Sequence, residues 1–201
     1  MAIDEDVKSA QMEDGILEVI HQRWSPRSFS DQPVTSAVLT KVFTAAGWAA
    51  SSYNEQPWRF LVGRRGDTTY EKILDALVEF NQVWAKTAPV LILSTSKTVF
   101  SANGYPNPLC LHDTGAASAN MSLQAAALGL QTHGMGGVDR EKARKNFAIP
   151  EDFEVGAAWA LGYPGDPDAL PMIYREMEKA PRTRKPLREF VFTEWERPAE
   201  G

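Results

Sequence analysis

The sequence predicts a single α+β domain, and three observations support this prediction. A continuous apolar run of strand length, "PVLILS", begins at Pro89. Segments with apolar residues at helical spacing lie before and after it. No internal repeat, low-complexity tract or linker divides the 201 residues, which is close to the length of one ordinary domain. We therefore expect one folded unit over residues 1–201, which buries about 70% of the surface of the unfolded chain and has room for a pocket.

Charge and composition exclude several classes of protein. The chain has 26 acidic and 21 basic residues and a net charge of −5, so nucleic acid or an acidic membrane is not an expected partner. Its one cysteine, Cys110, excludes an intrachain disulfide and a multi-thiolate metal site, and suits a reducing compartment. The acidic N-terminus resembles no export signal, and no run of about 18 apolar residues occurs. We expect a cytoplasmic protein that is neither exported nor membrane-bound.

The first elements are two helices separated by an extended stretch. Apolar residues at helical spacing predict a helix from Glu13 to Trp24. Pro26 ends it, because proline lacks an N–H and disfavours helical geometry in the preceding residue, so residues 23–27 should be extended. A second helix is predicted from a cap at Thr35 or Ser36 to about residue 48.

The middle of the chain is predicted to supply the core. "RFLVG" predicts a short strand, and residues 67–88 predict one long amphipathic helix capped by Asp67 or Thr68. The continuous apolar character of "PVLILS" indicates a central strand covered on both faces. After a loop rich in turn-forming residues, residues 116–130 are small or apolar nearly all round, which indicates a buried helix or a helix at a subunit interface.

The C-terminal third alternates turns and elements. "GMGGVD" predicts a turn into a helix that starts near Asp139, and "EVGAAWALGYPG" predicts a buried strand that ends in a turn. The tail is punctuated by prolines and cationic at its start, and its "FVF" could add a strand.

A basic stretch is the first candidate binding feature. If residues 23–27 are extended, Arg23, Ser25 and Arg27 share one face, while Trp24 and Pro26 point away. Two guanidinium groups beside a hydroxyl suit a phosphate monoester, because arginine offers paired donors in a rigid fork. An ordinary surface loop with ion pairs explains the same stretch equally well. A second cationic set follows in the tail, and it could close on a phosphate or be an ordinary charged arm: Arg182, Arg184, Lys185 and Arg188.

Amide and hydroxyl side chains form the second candidate feature. Asn54, Gln56 and Asn81 each carry a donor and an acceptor, so they can bind a ring edge that alternates carbonyl and N–H groups, as a flavin or a nucleobase does. Ser51 and Ser52 crowd the same loop. The alternative is an Asx turn at Asn54 and a serine helix cap, which accounts for one or two of these residues.

Other motifs carry less information. "GMGG" lacks the spacing of a dinucleotide fingerprint; it suits close approach of a backbone N–H to a planar ligand, and a plain turn between helices at least as well. "DTG" at Asp113 matches an aspartic protease motif, but it opens an Ala-rich helix, where Asp113 is better explained as an N-cap. The three histidines show no metal-ligand spacing, and no serine hydrolase motif is present.

Taken in order, "RWSPRSF", "AASSYNEQPWRF", "GMGGVD", "ALGYPG" and the basic tail resemble the nitroreductase family of FMN-dependent oxidoreductases. The resemblance covers roughly Gly15 to Trp195. It implies a nitroreductase-like α+β fold with a central, mostly antiparallel sheet flanked by helices. It further implies an intertwined homodimer with FMN at the subunit interface, and a C-terminal arm, residues 180–201, that packs on the partner subunit.

The resemblance also assigns residues to the cofactor. It places the phosphate and ribityl contacts in the first motif and the tail, the loop lining the flavin in the second motif, and the turn near flavin N5 in the third. The implied cofactor-binding residues are Arg23, Trp24, Ser25, Arg27, Ser51, Ser52, Tyr53, Asn54, Gln56, Asn81, Gly136, Gly137, Arg182 and Arg184. Some family members carry an acidic residue where this chain has Gly136, so a role that depends on that carboxylate is not expected here.

The implied activity is reduction of nitroaromatics, quinones or similar conjugated acceptors by NAD(P)H, in ping-pong fashion. The chemistry belongs to flavin N5, so no catalytic side chain and no metal are expected. Phe100 and Tyr105 lie in the loop that could cover the flavin as a substrate lid. Two alternatives stay open: a specialised reaction such as reductive dehalogenation, azoline oxidation or flavin degradation, and a non-catalytic flavin-binding protein.

Overall fold

A four-stranded sheet forms the centre of the molecule in the computed structural model, which describes residues 15–199. Its strands lie in the order β1-β2-β4-β3, and every neighbouring pair is antiparallel. The strands are β1 (Trp58–Arg64), β2 (Val90–Lys97), β3 (Gln131–Met135) and β4 (Phe153–Gly162). Two short strands of the tail form a separate hairpin: β5 (Phe192–Glu194) and β6 (Arg197–Pro198).

Strand β2 is central and covered on both faces, as its apolar run predicted. Leu91 and Leu93 belong to one core cluster, whereas Val90 and Ile92 belong to the other. Side chains alternate across a strand, so this division places one apolar layer on each face of the sheet. The predicted α+β class with a mostly antiparallel sheet is confirmed.

Helices cover both faces of the sheet. On one face of the sheet, helices contribute Tyr70, Ile73 and Trp84 to the core cluster that includes Leu91 and Leu93. On the other face, helices contribute Val42 and Met121 to the second cluster. The seven helices within residues 15–199 are α1 (Glu18–Gln22), α2 (Ser36–Gly47), α3 (Thr68–Asp75), α4 (Glu79–Ala85), α5 (Cys110–Ala127), α6 (Arg140–Phe147) and α7 (Met172–Lys179).

Three predicted helix starts are confirmed by side-chain caps. Thr35 accepts a hydrogen bond from the backbone N–H of the third residue after it, at 3.3 Å, and begins α2. Asp67 and Asp139 do the same for α3 and α6, at 2.7 and 2.9 Å. Each cap satisfies one of the N–H groups that a helix leaves unpaired at its start.

The predicted helix over residues 67–88 is wrong in one respect, because it is two helices. Residues 76–78 lie between the two helices and pair with the chain near Val138: Leu77 and Val138 form an isolated antiparallel bridge, and Asp139 N donates to Ala76 O at 2.8 Å. Leu77 is only 4% exposed, so the break also buries an apolar side chain. Tertiary pairing therefore overrides the helical periodicity here.

Other boundaries differ from prediction. The first helix spans only Glu18–Gln22 within the described residues, and Glu13, the predicted start, lies outside them. "QTHGM" is a strand, so the "GMGG" turn joins a strand to a helix rather than two helices. Helix α7 was not predicted. Between residues 15 and 199, no helix combines the length and the apolar character that crossing a membrane requires.

Candidate functional site

A stretch that we call the basic segment, residues 21–28, includes the last two residues of α1, continues irregularly beyond it and carries Arg23, Ser25 and Arg27. The segment is not helical beyond Gln22, as Pro26 predicted. Arg23 Nη1 donates to Ser25 Oγ at 3.4 Å, so these two side chains do share a face. Pro26 is buried while Ser25 is exposed, in agreement with the predicted alternation.

The tail meets the basic segment through Arg182. Its Nη1 donates to the carbonyl of Arg23 at 2.8 Å, and its Nη2 donates to the carbonyl of His21 at 2.7 Å. Arg182 was predicted as a cofactor contact, but here both terminal nitrogens serve the backbone. Arg184 remains exposed, and its hydrogen bond within residues 15–199 goes to the carbonyl of Thr183.

Three guanidinium groups crowd together at this point. Burial lowers the pKa of Arg23, and the nearby charge of Arg184 lowers it further. The pKa of Arg182 is lowered by burial and then by Arg184 and Arg23. Within the described part of the chain, none of the three forms an ion pair with a carboxylate. Like charges without a compensating carboxylate favour the binding of an anion at this point.

Two guanidinium donors near the basic segment are also buried without partners. Arg27 Nε and Arg182 Nε make no hydrogen bond to any residue of the described chain. Buried N–H donors are normally satisfied, so an orphaned pair indicates a missing acceptor. Burial lowers the pKa of Arg27, while the charge of Glu178 and then that of Tyr174 raise it.

A second group of predicted residues forms the amide loop, residues 51–56. Tyr53, Asn54 and Gln56 adopt φ values of 52°, 55° and 50°, in the left-handed region that side chains other than glycine disfavour. The loop is stabilised from within, because Ser51 Oγ accepts the Gln56 N–H at 3.0 Å. Asn54 makes no side-chain hydrogen bond within residues 15–199, so the predicted alternative of an Asx turn is wrong.

Asp113 holds the amide loop from α5, and its predicted role as an N-cap is wrong. Helix α5 begins at Cys110, so Asp113 lies in its first turn, where it is 3% exposed. Its Oδ2 accepts the backbone N–H of Ser52 at 2.9 Å, and its Oδ1 lies 3.1 Å from Nδ1 of His112. The "DTG" motif drew attention to the right residue, but nothing in the sequence links it to Ser52.

Phe100 and Tyr105, the predicted lid residues, belong to a turn that we call the cover segment, residues 98–107. Phe100 N donates to Tyr105 O at 2.8 Å, and the ring of Phe100 meets that of Tyr53 edge-on at 5.6 Å. The carboxylate of Glu55 accepts hydrogen bonds from the N–H of Ser101 at 3.0 Å and from its hydroxyl at 2.5 Å. These contacts place the cover segment directly beside the amide loop.

Asn81 of α4 contacts Gly137, which lies in the turn after β3. Asn81 Nδ2 donates to the Gly137 carbonyl at 3.4 Å, and Val78 N donates to the same oxygen at 3.0 Å. A Cβ on Gly137 would lie 2.7 Å from both Asn81 Nδ2 and Val78 Cγ2, so this packing explains the glycine. Gly136 has open space where a Cβ would be, and it is exposed.

The chain does not gather all these residues at one point. The basic segment and the Asn81–Gly137 pair flank β3, whereas the amide loop leads into β1, and these are the two edge strands of the sheet. Strands lie about 4.8 Å apart, so the two edges are separated by about 14 Å. Within residues 15–199, no hydrogen bond joins the basic segment to the amide loop. The predicted residues therefore form two groups.

Comparison with known sequences gives one family. The sequence profile of the Nitroreductase family matches residues 20–83 and 75–163. A relative from Archaeoglobus fulgidus is 30% identical over 154 residues, 75% of this chain and 86% of the relative. Another, from Methanothermobacter thermautotrophicus, is 31% identical over 168 residues, 80% and 82% of the two chains. Both carry a provisional name, NADH dehydrogenase/NAD(P)H nitroreductase.

Solved structures agree with the sequence comparison. A crystal structure described as an oxidoreductase containing FMN matches with a TM-score of 0.86 and 33% identity, over 92% of this chain and 95% of that one. A protein from Desulfovibrio desulfuricans, provisionally described as a nitroreductase and solved in complex with FMN, matches with a TM-score of 0.71 and 26% identity, over 91% of this chain and 98% of that one. On fold and sequence together, the chain belongs to the nitroreductase family of oxidoreductases.

Proposed function

We propose that the protein is an FMN-dependent oxidoreductase that uses NAD(P)H to reduce nitroaromatics, quinones or similar conjugated acceptors. The observation that carries the proposal is the cluster of Arg23, Arg182 and Arg184, which has no carboxylate partner among residues 15–199. A phosphate monoester would supply the missing charge. The similar crystal structure that contains FMN supports this choice of ligand.

The residues fit FMN in two further respects. The orphaned Nε donors of Arg27 and Arg182 need acceptors, and phosphate oxygens are strong ones. In the amide loop, the side chains of Asn54 and Gln56 are exposed, so their donors and acceptors can bind the edge of a flavin ring. Arg184 would meet the phosphate directly, while Arg182 would offer its free Nε and hold the backbone of Arg23 through its terminal nitrogens.

FMN, when bound, supplies hydride transfer between NAD(P)H and the acceptor. The chain binds the cofactor and orients it, and no side chain need act as nucleophile or base. Gly136 is exposed with open space around it, so the turn after β3 leaves room for a second ligand. Donor and acceptor would use this room in turn, which is ping-pong behaviour.

We also propose that the site is completed in a homodimer. The two groups of cofactor residues lie at opposite edges of the sheet, so a second copy could bring its amide loop to the basic segment of the first. Exposed apolar side chains support association: Trp48 is 83% exposed beside a cleft that α2 and α5 line. The described part of the arm, residues 180–199, is also mostly exposed, as expected if it packs on a partner. The single buried cysteine suits a cytoplasmic protein.

A visible absorption spectrum tests cofactor and activity together. The purified protein should be yellow, or become yellow with FMN, and should bleach when NADH or NADPH is added. A protein that neither carries nor takes up FMN would contradict the proposal. Bound FMN that neither nucleotide reduces would instead indicate a non-catalytic flavin-binding protein.

A specialised reaction of the same fold is the second candidate, and the cover segment is the observation that favours it. The hydrogen bonds between Glu55 and Ser101 fix the cover segment beside the amide loop, so it would form one fixed side of the pocket that binds the acceptor. Reoxidation of the reduced protein by a panel of acceptors in a stopped-flow instrument separates the two functions. Fast reoxidation by simple quinones and nitro compounds supports the general reductase, and slow reoxidation by all of them supports specialisation.

A further inference from the structure

The backbone of the basic segment is held mainly by side chains from other elements, and beyond α1 one backbone bond also joins it, from the Gly165 N–H to the Ser28 carbonyl at 2.9 Å. Gln131 of β3 accepts from the N–H of Trp24 and donates to the carbonyl of Gln22, both at 3.0 Å. His133 of β3 lies 2.9 Å from the carbonyl of Pro26 through its Nδ1. With the two bonds of Arg182 described above, these contacts replace the ladder that a neighbouring strand would provide.

Glu178 of α7 makes the most demanding of these contacts. Its carboxylate is buried, with the residue 1% exposed. The N–H of Arg27 lies 3.0 Å from its Oε1 and 2.9 Å from its Oε2, and the N–H of Ser28 lies 3.1 Å from its Oε1. Taking a carboxylate out of water is costly unless it is fully hydrogen-bonded, so this side chain is committed to the backbone at Arg27 and Ser28.

The charge of Glu178 has the wrong sign for a site that binds an anion. Its proximity to Arg27 reduces the net positive charge that a phosphate would meet. A buried anion beside the basic segment is therefore useful only if the geometry it imposes outweighs its repulsion. Fixing both N–H groups fixes the direction in which the Arg27 side chain leaves the backbone.

We propose that Glu178 is a positioning residue for the anion site, which fixes the main chain at Arg27 and Ser28 so that the Arg27 guanidinium faces the cofactor phosphate. The proposal rests on the proposed function, because the phosphate is that of FMN. It assigns α7, which no sequence motif marked, to cofactor recognition. Glu178 acts through Arg27 and does not itself touch the ligand.

The test compares FMN with riboflavin, which lacks the phosphate. Glu178→Gln keeps the size of the side chain but places an NH2 group against a backbone N–H, so the segment must shift. We expect the preference for FMN over riboflavin to fall about tenfold, because contacts to the phosphate are charge-assisted. Glu176→Gln is the matched control: it makes the same change on an exposed position of the same helix, and it should keep the full preference.

A second variant separates position from charge. Glu178→Asp keeps the negative charge but shortens the side chain, so positioning predicts the same loss of preference. It also serves as the test if Glu178→Gln does not fold. A Glu178→Asp variant with the preference of the wild type would overturn the proposal.

Amide hydrogen exchange in flavin-free protein gives a readout that needs no cofactor. The N–H groups of Arg27 and Ser28 should be protected in the wild type and in Glu176→Gln, and exposed to exchange in Glu178→Gln. If the wild type binds FMN no better than riboflavin, both the proposed phosphate site and the role of Glu178 are contradicted. If the wild type prefers FMN and Glu178→Gln keeps that preference, only the role of Glu178 is contradicted.

Discussion

The basic segment and the amide loop are both irregular stretches of chain, yet they are held in opposite ways. Side chains of β3, α7 and the tail fix the basic segment from outside. The amide loop relies on its own turn, with three residues in left-handed geometry and hydrogen bonds among its own residues, including the one that Ser51 Oγ accepts from Gln56 N–H. Its outside contacts are few: Asp113 at Ser52, Arg59 at the Gln56 carbonyl, and the cover segment at Tyr53 and Glu55.

This difference indicates which half of the site is ready before a ligand arrives. Side chains of other elements hold the backbone of the basic segment at several points and its guanidinium groups are crowded, so it is preorganised for an anion. The amide loop exposes its side chains, with Tyr53 93% exposed, and the basic segment of the same chain lies at the far edge of the sheet. The four predictions below test this contrast, from the largest expected effect to the smallest.

Removing Arg23 and Arg27 should strongly weaken FMN binding at the basic segment, the preorganised half of the site. In Arg23→Ala/Arg27→Ala we expect FMN binding to weaken by about 3–6 kcal/mol, because each charge-assisted contact contributes about 1.5–3 kcal/mol. Equilibrium dialysis of the flavin measures this loss. Lys86→Ala removes an exposed cation elsewhere and should leave binding unchanged. Unchanged FMN content in the double variant would remove the phosphate from this segment.

Acid should destabilise the fold through His133, the side chain of β3 that contacts the basic segment at Pro26. Burial lowers the pKa of His133 to about 4, below its ordinary value of 6.5. Between these pH values the unfolded chain takes up a proton that the folded chain excludes, so stability falls as pH decreases from 6.5 to 4, by about 3 kcal/mol. Urea unfolding of the wild type across this range measures the fall.

The matched variant for that measurement is His133→Asn, whose amide can still donate to the carbonyl of Pro26. Its stability should change less with pH over the same range. Wild-type and variant curves that run parallel between pH 6.5 and 4 would contradict the assignment of the proton to His133.

Removing Asp113 should affect the amide loop in the same way that removing Glu178 affects the basic segment, but to a smaller extent. Asp113→Ala leaves the partly buried N–H of Ser52 without its acceptor, which costs about 1–3 kcal/mol of unfolding free energy. Chemical denaturation measures the loss. Asp152→Ala alters an exposed aspartate and is the control. If Asp113→Ala is as stable as the control, the loop is held by its own turn alone.

The smallest effect is expected at the junction of the amide loop with the cover segment. Hydrogen bonds from Ser101 lower the pKa of Glu55, but the carboxylate lies in water, so Glu55→Gln should cost less than about 1 kcal/mol of stability. FMN affinity should not change, whereas the KM for bulky acceptors should. Equal KM values for wild type and variant across small and bulky quinones would separate the cover segment from acceptor binding.

Local signals in the sequence predicted much of the fold. Thr35, Asp67 and Asp139 have the residue types that cap helices, and the run from Val90 has the composition of a buried strand. Strand β3 was missed because "QTHGM" has little strand character of its own, and it exists because β4 pairs with it. The break at Leu77 depends in the same way on a distant partner, Val138.

The candidate site shows the same limit: residues whose type indicates a ligand contact were predicted, and residues whose role depends on a distant partner were not. The sequence pointed to the side chains that could contact a ligand, because their chemistry is visible in their type: arginines for an anion and amides for a ring edge. It did not point to Glu178, Gln131 or His133, whose partners are backbone atoms more than a hundred residues away in the chain. The charge of Arg182 indicated a contact with an anion, but nothing in the sequence indicated that its guanidinium would donate to the backbone of the basic segment.

The way in which β3 and α7 hold the basic segment has a consequence for protein engineering. A strand in a ladder cannot be lengthened by one residue without turning every following side chain to the opposite face. Residues 22–27 of the basic segment have no such register, since separate side chains bond to them at Gln22, Trp24, Pro26 and Arg27, and backbone pairing begins only at Ser28. Insertions between these anchors should therefore stay local, which makes this segment a suitable place to graft recognition of anions other than phosphate.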